Sequence, residues 1–157
     1  MTSLSERLTR PEIKPKVVDD VCGLVEREVA GKRGFGGAAV KAGFAVVTRV
    51  KPGFIREVVT KLLPDFADAL QPIYDESAAQ LGEGAGEGEV GEAFARRVAQ
   101  DRSRAAEALL GVTDRKIGGA RPAVRRAYEK LRPNALGNVE SALPGLIDAI
   151  LPYLKAN

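Results

Sequence analysis

The sequence predicts an all-α fold, seven or eight helices in one compact bundle, on three observations. Apolar residues recur at helical spacing along most of the chain, no stretch alternates as a strand does, and prolines, glycines and capping residues recur at helix-length intervals. The 157 residues suit a single domain that needs no disulfide or metal staple, and 45% hydrophobic with 29% charged residues is the composition of a folded globular chain. With five Phe, three Tyr and no Trp, the core reads as aliphatic and closely spaced.

Ser3 and Glu6 have the spacing of a capping box, and Pro11 follows closely, so the first helix is short and reads as an arm. From Lys14 to Ala30, Val17, Val18, Val21, Leu24, Val25 and Val29 share one stripe, with Asp19, Glu26 and Arg27 opposite, which predicts an amphipathic helix. Gly31, Gly34, Gly36 and Gly37 are expected to end it, and a second helix to run from Ala38 to Val50 before Pro52. A third helix is expected over Gly53–Leu62, and a fourth opens at Pro64 and bends at Pro72. Residues 82–91, with five glycines and three glutamates, read as the main linker. Beyond it the pattern predicts helices over Val90–Leu110 and Pro122–Leu131, then a final pair from Leu136 to Lys155.

The chain also carries an internal match. Residues 63–72 align without gaps to 143–152, with five of ten positions identical, and Asp68 falls on Asp148. Lys51-Pro52 faces Arg132-Pro133 at an offset of 81, and Gly36-Gly37-Ala38 faces Gly118-Gly119-Ala120 at 82. Two similar halves, 14–81 and 92–157, are therefore expected to pack about a pseudo-twofold axis. The seam between them is the expected binding site for a hydrophobic ligand or partner, with Phe66, Leu70, Ile147 and Ile150 on the apolar side and Asp68 and Asp148 as paired points. The blander reading makes the two aspartates ordinary acids near proline bends.

Charge offers a second site. Between Arg96 and Arg132 there are eleven Lys or Arg against four Asp or Glu, +7 where the whole chain carries +3. Arg121, Arg125, Arg126, Lys130 and Arg132 form the candidate basic face, suited to nucleic acid or an anionic membrane, or simply a solvated surface. Tyr128 is its only aromatic and no zinc finger or helix-turn-helix signal is present, which argues against nucleic acid. The Gly31–Gly37 segment, with Lys32 and Arg33, has the ingredients of an anion site, yet lacks the strand and hydroxyl of a nucleotide loop.

The chain has no histidine, which removes the commonest general base and metal ligand, and neither a catalytic residue, a metal set nor a cofactor is assigned. Asp19-Asp20 and the Glu83, Glu87 and Glu89 group are the dense carboxylate sets, and neither has the spacing of a calcium loop. Cys22, the single cysteine, reads as a small buried residue, and the lack of a signal peptide or a bilayer-length apolar run predicts a cytoplasmic protein.

The helix-loop composition with paired basic-Pro steps (Lys51-Pro52, Arg132-Pro133) and Leu-Pro steps (Leu63-Pro64, Leu143-Pro144) resembles an uncharacterised family of small helical bacterial proteins. The resemblance implies the fold and transfers no site residue. The function expected is non-enzymatic binding or scaffolding at the apolar seam, with a homodimer as one form of it. A basic adaptor acting through residues 96–132 is the alternative, and a carboxylate-dependent enzyme, or one using Tyr128, at the seam is a third class.

Overall fold

A computed structural model describes residues 2–32 and 34–155, with side chains throughout these except at 34–36. The described residues form eight α-helices and no strand: α1 (Leu4–Leu8), α2 (Lys14–Gly31), α3 (Gly34–Val50), α4 (Phe54–Leu81), α5 (Glu87–Gln100), α6 (Arg102–Lys116), α7 (Pro122–Leu131) and α8 (Ala135–Lys155). Short 3-10 turns, Ile117–Gly119 and Arg132–Asn134, lead into α7 and α8.

The two long helices, α4 and α8, organise the bundle, and α1, α2, α5 and α6 each pack against both. Their buried faces supply the principal core, with Leu4, Val17, Tyr74, Phe94, Leu143 and Leu154 among its least exposed members. Tyr74 and Phe94 meet edge to face, ring centroids 5.6 Å apart, which is the favoured geometry for two aromatic quadrupoles. The pair α3 and α7 stands at the margin, packed on each other over a smaller core of Val47, Val124 and Ala127.

Helix α1 is no arm. The Ser3 hydroxyl accepts from the Glu6 amide at 3.1 Å, as the capping box requires, and the single turn it starts is buried through Leu4 and Leu8. Burying each leucine is worth about 1.5–3 kcal/mol. The Leu4 amide donates to Gln71 Oε1 of α4 at 2.8 Å, and Arg7, 1% exposed, donates to the Leu154 carbonyl of α8 at 3.1 Å and pairs with Glu87 at the start of α5. A cation at the last turn of α8 also meets the negative end of that helix's dipole.

Several expected boundaries move. Gly34, Gly36 and Gly37 lie within α3 instead of before it. The expected break at Pro64 is absent: α4 runs 28 residues through Pro64 and Pro72, and α8 is likewise one helix through Pro144 and Pro152. Each proline deprives the carbonyl four residues earlier of its helical donor, and those positions, Thr60, Asp68, Glu140 and Asp148, are exposed or partly exposed, where water can replace it. The apolar stripe of α4, from Val59 through Leu63, Ala67 and Leu70 to Tyr74, continues on the opposite side and holds the helix together.

The glycine-rich connection is shorter than expected, because α5 begins at Glu87, where Glu87 and Glu89 complement the positive end of its dipole and Val90 and Gly91 are already buried. The helix expected over Val90–Leu110 is instead two, divided at Asp101, whose carboxylate caps α6 by accepting from the Arg104 amide at 3.3 Å.

Candidate binding groove between α3 and α7

Helix α3 is built from small apolar residues and carries no acidic residue. Ala38, Ala39, Ala42, Ala45 and Val46 are exposed, which leaves one apolar face unpartnered, with Lys41 and Arg49 exposed beside it. Val46, at 40% exposure, is one of two large hydrophobic residues exposed among the described residues. At Gly43 the backbone comes so close to α7 that a β-carbon there would stand 2.8 Å from Leu131 Cδ1.

Together α3 and α7 enclose an open groove of about 320 Å³, floored by Ala39, Ala42, Gly43, Ala123 and Ala127, with Val46 and Leu131 completing its apolar wall. Arg126 and Lys130 are the charged residues at its rim. Neither has an acidic partner among the described residues, and Glu129 is the only carboxylate on either helix. At the offset of 81 that relates Lys51-Pro52 to Arg132-Pro133, Ala42 corresponds to Ala123 and Val46 to Ala127. All four line the groove.

The outer edge of α7 is fixed by a polar cluster on α6. Arg132 makes a two-pronged contact to Asp114, at 2.9 and 3.0 Å, while the Tyr128 hydroxyl donates to the same carboxylate and lies 2.8 Å from the Thr113 hydroxyl. The Arg132 and Tyr128 hydrogen bonds hold the Asp114 carboxyl below its ordinary range. Burial, and then the bond to Asp114, push the Tyr128 phenol up. Arg125 turns back to the Gly118 and Ala120 carbonyls, at 3.3 and 3.1 Å. The expected basic face is therefore divided: Arg126 and Lys130 border the groove, Arg121 is exposed at the α7 cap, and Arg125 and Arg132 serve the fold. Upstream, Arg97 and Arg104 meet Glu76, and Lys116 meets Asp65.

The six seam positions do not share one surface. Leu70, Ile147 and Ile150 pack in the principal core, Phe66 is half-buried, and Asp68 and Asp148 are exposed. Ile147 and Asp148 also line a second groove, about 290 Å³, between α5 and α8, with Arg96 and Arg102 at its edge. Ala39, Ala42, Val46 and Ala123 are not legible in the sequence as a site, where their one weak signal is a run of alanines on a helix without acids.

The remaining candidates resolve into local roles. Arg33 of the glycine-rich turn lies outside the described residues, and the companion turn at Gly118 offers carbonyls to Arg125, which is the wrong polarity for an anion. Asp19 pairs with Arg56, Asp20 accepts from Tyr153, Glu92 pairs with Lys155, and Glu83 is exposed. Cys22 is buried, and desolvation pushes its thiol up, away from the reactive thiolate. Among the described residues no group of three or more Cys, Asp or Glu could hold a metal ion, and no helix is long and apolar enough to cross a membrane.

Comparison with known proteins adds one decisive match, the model of a family of unknown function (DUF6918), over residues 4–154. The chain belongs to that family. The DUF6918 match begins at the first residue of α1 and ends on the buried Leu154, so it includes the α1 clasp, both grooves and every helix of the bundle. No curated protein and no solved structure matches the chain.

Proposed function

We propose that this DUF6918 chain is a non-enzymatic binding protein that holds an apolar segment of a partner protein in the groove between α3 and α7. The observation that carries this reading is the unpartnered alanine and valine face of α3, continued by Ala123 and Ala127 of α7 into an open trough. A floor of small side chains lets another helix approach closely, and a trough between two helices is a common receptor for a third. The reading keeps the expected seam between halves and moves it from α4 and α8 to α3 and α7.

The duplication belongs to the same proposal. In its support, α1 and α5 each pack on both α4 and α8, α2 and α6 do the same, and α3 packs on α7. An alignment of diverged family members tests it. An internal match at the same offset of 80 to 82 is expected in them, and a match confined to this chain would remove the idea.

The binding role is tested by titrating the protein with a synthetic amphipathic helix whose polar face is glutamine. Ala42 is exposed on the groove floor, so Ala42→Trp fills the trough without entering the core. The intact chain is expected to bind, and the variant to bind at least about tenfold more weakly, a loss of about 1.4 kcal/mol, with unchanged thermal unfolding. Equal binding by the two proteins, or binding of neither this peptide nor its counterpart with acidic flanks, rejects the groove.

A further inference from the structure

We infer that the occupant of the α3–α7 groove is an acidic amphipathic helix of another protein, an assignment that rests on the groove reading above and specifies its partner. Three observations select it. The cations at the rim, Arg126 and Lys130, have no carboxylate partner among the described residues, and α3 adds Lys41 and Arg49 on its exposed side without a single acid. Their charge is uncompensated over an apolar floor, which is the complement of a helix with an apolar stripe flanked by Asp or Glu.

A second copy of this chain fits poorly, because a twofold contact between like grooves would bring both sets of Arg126 and Lys130 into one interface, with Glu129 the only carboxylate on the contacting helices. An anionic membrane fits poorly on size. Helices that lie in a lipid interface insert Trp, Phe or Leu, whereas the exposed apolar residues described on α3, 37–50, are alanines and Val46. Small residues instead favour close helix-on-helix packing, and the groove, lined from Ala39 to Val46 on α3 and from Ala123 to Leu131 on α7, is about 12 Å long, enough to seat about two turns of a partner.

The test compares three synthetic peptides of about 18 residues with one apolar face and flanks of Glu, Gln or Lys, measured by fluorescence anisotropy on the full chain. The Glu peptide is expected to bind at least about tenfold more tightly than the Gln peptide, and the Lys peptide more weakly than either. Added salt should narrow the difference. The double variant Arg126→Glu/Lys130→Glu should reverse the order while melting as the parent does, since both residues are exposed. Equal affinity for Glu and Gln peptides overturns the acidic assignment and leaves the groove reading standing, whereas failure of all three peptides overturns both. Binding to phosphatidylserine vesicles that Arg126→Glu/Lys130→Glu abolishes, with no peptide bound, overturns it in favour of a membrane. A sedimenting dimer that Ala42→Trp dissociates overturns it in favour of a second copy.

Discussion

The Tyr153 hydroxyl donates to a carboxylate oxygen of Asp20 at 2.6 Å, a bond from the last turns of α8 to the first turns of α2. That hydrogen bond, with burial and the negative charges of Asp20 and Asp19 behind it, pushes the phenol from its ordinary value of 10.0 up to about 12. Because the folded value is raised, the contact stabilises the fold fully below pH 10 and the contribution is lost as pH rises through about 12. Tyr74 and Tyr128 are raised too, both chiefly by burial, so all three tyrosines should ionise late. Following tyrosinate absorbance against pH checks this, and Asp20→Asn should bring one of the three transitions down towards 10. Three transitions at the ordinary value, unmoved by Asp20→Asn, would contradict it. Little of this was legible in the sequence. Asp20 stood out only as a neighbour of Asp19, and nothing local could reveal a partner 133 residues away. The same holds for Arg7, an ordinary surface residue by type, whose burial depends on the ends of two distant helices meeting above it.

Helices were legible wherever local chemistry and burial agree. Ser3 opens α1 and Pro122 opens α7 at the expected residues, and the stripe of α2 ends where its periodicity does. They were misread where a breaker stands on a solvent-facing side. Pro64 and Pro144 cost their helices one hydrogen bond each, but the apolar faces behind them are continuous, and tertiary packing outweighs that loss. Asp101 shows the reverse: a cap in an otherwise periodic run, where the carboxylate's bond to the Arg104 amide starts a new helix direction. Glycines divide by the same physics. A β-carbon at Gly37 would lie 2.6 Å from the Lys32 carbonyl carbon, backbone that cannot swing aside, whereas one at Gly137 meets nothing within 4 Å. Gly137→Ala should therefore stabilise the protein by about 0.5–1 kcal/mol, from lost freedom of the unfolded chain. Gly37→Ala should destabilise it by about 1–3 kcal/mol despite the better helix propensity of alanine. Denaturant midpoints of the two variants decide the matter, and equal shifts would show that α3 does not depend on that close approach.

At the scale of the molecule, composition and periodicity sufficed for the all-α class, while the place of the groove needed the packing order. The sequence reading sought the seam on the faces of 63–72 and 143–152, because identity is highest there. In the bundle those faces bury Leu70, Ile147 and Ile150, and the residues that line the α3–α7 groove, Ala39, Ala42, Ala123 and Ala127 among them, belong to helices whose alanines carry almost no pattern of their own. The basic segment was legible as charge but not as geometry: ion pairs to Asp65, Glu76 and Asp114 absorb much of it, and Arg126 and Lys130 are left beside an apolar trough. Backbone amide NMR of the whole chain, titrated with the Glu-flanked helical peptide, tests this arrangement most directly. Saturable shifts should concentrate on Ala39, Ala42, Val46, Ala123, Arg126 and Lys130. Shifts confined to the second groove, at Ala95, Ala99 and Asp148, or no saturable shifts at all, would contradict the assignment of α3 and α7 as the binding face.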